Sequence, residues 1–236
     1  MPAPASPRSE ASRHAILRAA VAAFSEQGPA GARMDAIARA AGVNKALLHY
    51  YFGTKEGLHQ AVLDAIFGPV RDHALALLQG PGSAGERLLA YFLTHFDRLA
   101  LGDTARLMTY EMMRAREGQP SNLPRLARIL FTPVHQAMVR VFREGLDAGE
   151  LRPGDPDQVF KALTGINVFY FISAPAYREI DGADPRDAAQ VARQRGHMLG
   201  VAATLLFADP RGGDAAVRTL LERFPRSILP AQGTRP

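Results

Sequence analysis

Between Met34 and Lys55 the chain reads MDAIARAAGVNKALLHYYFGTK, and its apolar positions fall into two short helical registers separated by a glycine. Met34, Ile37, Ala38 and Ala41 recur at i, i+3, i+4 and i+7, the spacing of a helix that buries one face. Gly42 follows at once and suits the left-handed conformation that ends a helix. Asn44 offers an N-cap acceptor for the next helix, with Val43 and Leu48 placed to form a hydrophobic staple around it. Two short helices joined by a tight turn make a helix-turn-helix, whose second helix can lie in the DNA major groove.

The remaining pattern is helical throughout. A first helix over about 10–27 turns Ile16, Ala20, Ala23 and Phe24 inward and stops at Gly28, after a Pro- and Ala-rich arm (1–8) expected to be disordered. From Thr54, an inner stripe of Leu58, Ala61, Val62, Ala65 and Ile66 predicts a long helix, interrupted at Gly68-Pro69 and ending before Gly80-Pro81-Gly82. Further helices are predicted over 84–101, 103–117 and 123–148, the last with two apolar stripes, and over 156–172, 185–207 and 214–224. Asp155-Pro156 and Asp184-Pro185 open two of these, each with an N-cap and an N1 proline. No strand alternation or internal repeat is present. The expected fold is all-α: a three-helix helix-turn-helix head (9–69) and a larger C-terminal helical domain (70–225).

Composition narrows the class. The net charge of +5 is compatible with an anionic partner, and arginines are spread along the chain. The absence of cysteine excludes disulfides and thiolate metal sites. No apolar run reaches the length of a membrane span, and the N-terminus lacks the apolar core of a signal peptide, so a cytoplasmic protein is expected with no membrane partner.

Candidate chemistry centres on the helix starts. Of the three lysines, Lys45 and Lys55 each fall in the first turn of a helix, where a cation opposes the dipole at about 0.3–1 kcal/mol. A phosphate at each start would reverse that cost; solvated lysines on exposed turns are the plain alternative. No metal-protease motif, nucleophile elbow or phosphate-cradling glycine loop accompanies the seven histidines, so neither catalysis, a metal nor a cofactor is expected. Met and aromatic residues over 108–113 and 131–142 read as core in part, or as the lining of an adaptable apolar pocket. Glu111 reads either as a buried acid or, preferably, as the surface partner of Arg114 at i+3.

The segment from about Ser9 to Val62 resembles the DNA-binding domain of TetR-type (tetracycline-repressor-like) transcriptional regulators. The resemblance rests on the apolar first helix ending in Phe24 and Gly28, then Ile37-Ala38, Ala41-Gly42-Val43, Tyr51-Phe52, and Lys55-Glu56 with Leu58. It covers roughly a quarter of the chain. The family usually carries Tyr where this chain has His49; a neutral His can still donate one hydrogen bond to a phosphate.

The resemblance implies a repressor that binds a palindromic double-stranded DNA operator as a homodimer and answers to a small apolar or aromatic effector. Arg33, Asn44, Lys45, Ala46, Leu47, His49, Tyr50 and Lys55 are the expected DNA-contacting residues. Phe96, Met108, Met112, His135, Met138 and Phe169 are the expected effector-lining residues. The dimer surface is expected on 156–172 and 185–207, with Ala203 on it. A regulator controlled by a protein partner, or a helical enzyme, are the alternatives.

Overall fold

A computed structural model describes residues 7–100, 102–182, 184 and 187–225. Among them the regular elements are α1 (Pro7–Gly31), α2 (Met34–Ala40), α3 (Lys45–Phe52), α4 (Lys55–Gln79), α5 (Ala84–Ala100), α6 (Asp103–Arg116), α7 (Leu123–Leu126), a π-helical turn (Ala127–Phe131), α8 (Thr132–Asp147), α9 (Pro156–Ile172), α10 (Ala174–Asp181), α11 (Ala188–Leu206) and α12 (Pro210–Arg223). The fold is all-α, and the described residues contain no strand beyond one isolated bridge, Leu151 to Phe207.

The chain divides into two compact units. The first holds the described residues up to Val70 together with Asp103–Ile129; the second holds Arg71–Gly102 and the described residues from Leu130 onward. The head is thus larger than the three-helix reading, because α6 and α7 pack with it. Its core is Ile16, Leu17, Ala20, Phe24, Ile37, Ala38, Leu48, Leu58, Val62, Leu63 and Phe67. The inner stripe of α4 therefore runs through 58, 59, 62, 63 and 67, while Ala65 and Ile66 stay partly exposed. His59 takes a fully buried place in that stripe, its ring 5.0 Å edge-on from Phe24.

Gly28 breaks α1 with φ 66°, as expected, and a Cβ there would lie 2.7 Å from the Tyr110 ring of α6. Left-handed backbone and close approach both require glycine at this position. Residues 1–6 of the N-terminal arm lie outside the described residues, whereas Pro7 and Arg8 already belong to α1. The interruption expected at Gly68-Pro69 does not occur, since α4 is continuous through Pro69. Pro69 is exposed, so water can satisfy the carbonyl freed one turn earlier.

In the second unit α5 is buried on nearly every side. Phe92 on α5 and Phe142 on α8 both meet Phe160 on α9, at 6.1 and 5.8 Å. Gly85 leaves the space that the Phe207 ring fills. Arg195 on α11 reaches Asp97 on α5, with Nε 2.8 Å from Oδ1, and donates a further hydrogen bond of 3.1 Å to the Phe224 carbonyl.

Several boundaries differ from expectation for local reasons. The single helix predicted over 123–148 is divided, because Pro133 supplies no N–H and the chain passes through a π turn into α8. Only the Leu130, Val134, Ala137, Val141 stripe, with Met138 and Phe142, is buried; His135 is exposed. A separate short helix, α10, begins at Ala174-Pro175. The helix expected from Asp184 starts at Ala188 after Asp187, and α12 starts at Pro210, four residues early, with Asp209 accepting from the Arg211 N–H at 3.1 Å.

Candidate nucleic-acid interface

Local sequence fixes the helix-turn-helix. Gly42 adopts φ 68° between α2 and α3, and the Asn44 side chain accepts the Leu47 N–H at 2.7 Å, capping α3. Thr54 caps α4 in the same way, accepting the Gly57 N–H at 3.1 Å. Gly57 is forced by contact, since a Cβ there would run into the Phe52 carbonyl at the end of α3. Tyr51 ties α3 to α1 through hydrogen bonds to the Ser9 hydroxyl (2.8 Å) and carbonyl (3.2 Å), and the Arg13 guanidinium lies over the Phe52 ring at 5.7 Å.

With Leu48 fully buried, α3 turns Lys45, Ala46, His49 and Tyr50 outward on one face. Tyr50 is 81% exposed. Leu47 is partly covered, and Arg33, just before α2, is exposed. Asn44 is exposed too, with its Oδ1 spent on the cap and its amide N–H groups still able to donate.

Neither lysine is a bare cation at a helix start. The Lys45 ammonium lies 2.8 Å from the Asp35 carboxylate of α2, and that neighbour holds the Asp35 carboxyl below its usual range. The Lys55 ammonium donates to the carbonyls of Ala30 (3.0 Å) and Ala32 (3.2 Å), clamping the end of α1. The dipole penalty that singled these residues out is therefore answered inside the fold. Asp35 is the residue that sequence reasoning missed; the one available signal was an acid in the first turn of the preceding helix.

His49 also departs from expectation. Its Nδ1 lies 2.6 Å from the Gly53 carbonyl, which can only accept, so Nδ1 carries the hydrogen. The single N–H of a neutral ring is thereby used within the head, leaving Nε2 as an acceptor rather than a phosphate donor.

Glu111 is not the surface partner of Arg114. It is fully buried in the head, where its Oε2 accepts the Asn122 N–H. Asn122 Nδ2 donates to Glu56 Oε1 at 3.0 Å and approaches His59 Nδ1 at 3.4 Å. That leaves His59 Nε2 toward Glu111 Oε1 at 3.5 Å, too loosely aligned for a hydrogen bond. Burial drives the His59 pKa down against the opposing pull of Glu111 and Glu56.

The expected effector residues are divided between the two units. Met108 and Met112 belong to the first unit, with Met112 48% exposed, while Phe96, His135, Met138 and Phe169 belong to the second. There Phe96 and Met138 are core, Phe169 is 64% exposed, and His135 is a surface residue 2.8 Å from Asp157. Helical periodicity could not distinguish core from lining. Two open depressions occur in the second unit. One of about 270 Å³ is bordered by Ser83, Glu150, Phe207, Asp209 and Thr219; the other, of about 300 Å³, is bordered by His135, Gln136, Val139, Arg140 and Arg143. Ala203, expected on a dimer surface, is buried beside Gly213.

An all-helical chain that carries a capped, outward-facing helix-turn-helix on its own compact unit is a DNA-binding regulator, and no group of metal-ligating side chains occurs among the described residues. Residues 16–62 match the bacterial regulatory proteins of the tetR family. The chain is 31% identical over 183 residues to the HTH-type transcriptional regulator RutR of Escherichia coli (strain K12), spanning 75% of this chain and 82% of that protein. It is 38% identical over 84 residues to the HTH-type transcriptional regulator BetI of Rhizobium meliloti (strain 1021), 36% of this chain and 41% of that one. The protein belongs to the TetR family of transcriptional regulators and is not an enzyme. In overall fold it is similar to a gamma-butyrolactone receptor (ArpA-like protein), with TM-score 0.66 at 19% identity over 92% of this chain and 99% of that one. A transcriptional regulator from Saccharomonospora viridis in complex with choline gives TM-score 0.65 at 20% identity, over 85% and 100%.

Proposed function

We propose that this protein is a ligand-responsive repressor that binds a palindromic operator as a homodimer in the cytoplasm. The observation that carries the reading is the outward face of α3, where Lys45, Ala46, His49 and Tyr50 stand free of the core that Leu48 anchors. Lys45 can donate to guanine and Ala46 can pack on a thymine methyl, while Arg33, Asn44, Leu47, Tyr50 and Lys55 border the backbone. A lone head offers few base contacts, so two heads reading half-sites about one helical turn, roughly 34–36 Å, apart supply the specificity.

The homodimer is supported by an outward apolar surface on α9 and α11. Phe169, Ile172, Val201 and Leu205 are exposed, and Gly165 and Gly200 have open space where a Cβ would stand. Small residues flanked by apolar ones admit a second helix pair at close range. No single helix among the described residues is long and apolar enough to cross a membrane; α9 and α10 pass that test only as a bent pair, and α9 buries Phe160, Leu163, Asn167 and Phe171. The solved regulator that holds choline makes a small organic molecule a reasonable kind of effector here.

Selecting duplexes from a random pool with the purified full chain tests the reading. Enrichment of a palindrome is expected; a pool that stays random after repeated rounds would overturn it.

A further inference from the structure

The outward face of the head carries an acid among its cations. Asp35, in the first turn of α2, lies through Oδ1 2.8 Å from the Lys45 ammonium, and both side chains are more than half accessible. Lys45 opens α3, so the carboxylate stands beside the face formed by Lys45, Ala46, His49 and Tyr50. Arg33 precedes Asp35 and Arg39 follows it by one turn of α2, both exposed. A carboxylate so placed repels the phosphates that these cations attract, which weakens binding to DNA of any sequence. An acid in a first turn also suits the helix dipole. That plain alternative and a recognition role differ in what they predict for base preference.

An ammonium and a carboxylate oxygen side by side present a donor next to an acceptor. The major-groove edge of a G·C pair presents the complement. Guanine O6 accepts, and cytosine N4 donates through the hydrogen not used in pairing. Those two atoms are one Watson–Crick hydrogen bond apart, about 2.9 Å. The 2.8 Å between Lys45 Nζ and Asp35 Oδ1 matches that spacing. An A·T pair also sets thymine O4 beside adenine N6, but guanine adds N7 as a second acceptor next to O6, and the ammonium has three hydrogens to share. The exposed pair contributes little by itself, so its own contact can be exchanged for the two base contacts at small cost.

We propose that Asp35 is a specificity-determining residue: with Lys45 it reads one G·C pair in each half-site, Lys45 donating to guanine O6 and N7 and Asp35 accepting from cytosine N4. The proposal deepens the operator-binding reading and rests on it. It gives the acid a second effect as well. At a site without the cytosine donor, the carboxylate faces the groove uncompensated and disfavours binding there.

The test uses the palindrome recovered by selection with the full chain. Each half-site should hold a G·C pair at which Lys45→Ala relaxes discrimination. Replacing that cytosine by N4-methylcytosine keeps the Watson–Crick pairing and removes the major-groove donor. The wild type should bind the modified duplex about tenfold more weakly. Asp35→Ala should bind both duplexes alike, and Asp35→Asn, which keeps an acceptor oxygen, should still discriminate. Asp35→Ala should also bind random duplex more tightly than the wild type, because a negative charge has left the DNA face. A merely structural acid would move the melting temperature and leave the response to N4-methylation as it was. A wild type indifferent to N4-methylation, an Asp35→Ala variant as sensitive as the wild type, or selection of A·T at this position would each overturn the proposal. A pool that stays random removes the operator reading and this assignment with it; a selected palindrome with no response to N4-methylation removes the assignment alone.

Discussion

Lys55→Ala is the sharpest test of how the head is held together. The ammonium donates to two carbonyls, Ala30 and Ala32, at the end of α1 beyond its break at Gly28. Hydrogen bonds from charged groups contribute about 1.5–3 kcal/mol where water cannot replace them; these are only partly covered, so about 1 kcal/mol each is the working figure. Against that, removing a cation from the first turn of α4 returns roughly 0.3–1 kcal/mol. The net loss is about 1–2 kcal/mol, or a fall of about 2–8 °C in melting temperature for a chain of this size. Lys45→Ala is the internal control. It breaks an exposed pair with Asp35, whose side chains are 58% and 60% accessible, and such pairs contribute about 0–1 kcal/mol. Melting both variants by circular dichroism without DNA should therefore separate them, with Lys55→Ala lower. The clamp is refuted if Lys55→Ala melts with the wild type, or if Lys45→Ala falls further. In DNA titrations Lys55→Ala should weaken every duplex alike and flatten the salt dependence by about one ion per head. Lys45→Ala should instead relax discrimination at one base pair by about 1–3 kcal/mol.

Four further outcomes are expected. Arg195→Met removes the buried guanidinium that faces Asp97 and donates to the Phe224 carbonyl, and should cost about 3–5 kcal/mol by urea denaturation. Acidification should destabilise the second unit through His95: its folded pKa of about 4 lies below the open-chain 6.5, so the unfolded chain binds the proton first. That contribution is intact above pH 6.5 and falls by about 3 kcal/mol toward pH 4, a loss that His95→Gln should reduce. His49→Tyr supplies an outward O–H in place of the N–H held by Gly53, so binding to all duplexes should tighten by about 1 kcal/mol per head at pH 8. Leu205→Arg, on the exposed face of α11, should give a monomer in sedimentation with a melting temperature near that of the wild type; a stable dimer would move the interface elsewhere.

The elements written in local chemistry were legible in advance. Gly28, Gly42, Asn44, Thr54 and Asp155 each do what their residue type suggests, because a cap or a left-handed turn depends on neighbours a few positions away. What depends on distant partners was not legible. Apolar periodicity marked Met112 and Phe169 as readily as Phe96, yet only Phe96 is covered. Glu111 looked like half of an i+3 pair with Arg114 because its true partner, the Asn122 backbone, arrives from beyond the end of α6. Pro69 looked like a break because sequence shows the missing N–H and not the exposure that makes its loss tolerable. The outward set on α3 was legible because an eight-residue helix with one buried anchor, Leu48, leaves its opposite face determined.

The cations show why composition alone could not locate function. Lys45 is paired but exposed, so its bond to Asp35 contributes little and a base or phosphate can replace it at small cost. Arg125 holds Asp64 through Nε at 3.1 Å, and that neighbour raises the Arg125 pKa, yet both side chains remain more than a third accessible. Arg195 is buried and matched, so exchanging Asp97 for another anion would cost several kcal/mol, and the pair serves structure. A cation that is exposed and weakly held therefore stays open to an incoming anion, whereas one matched inside the core does not.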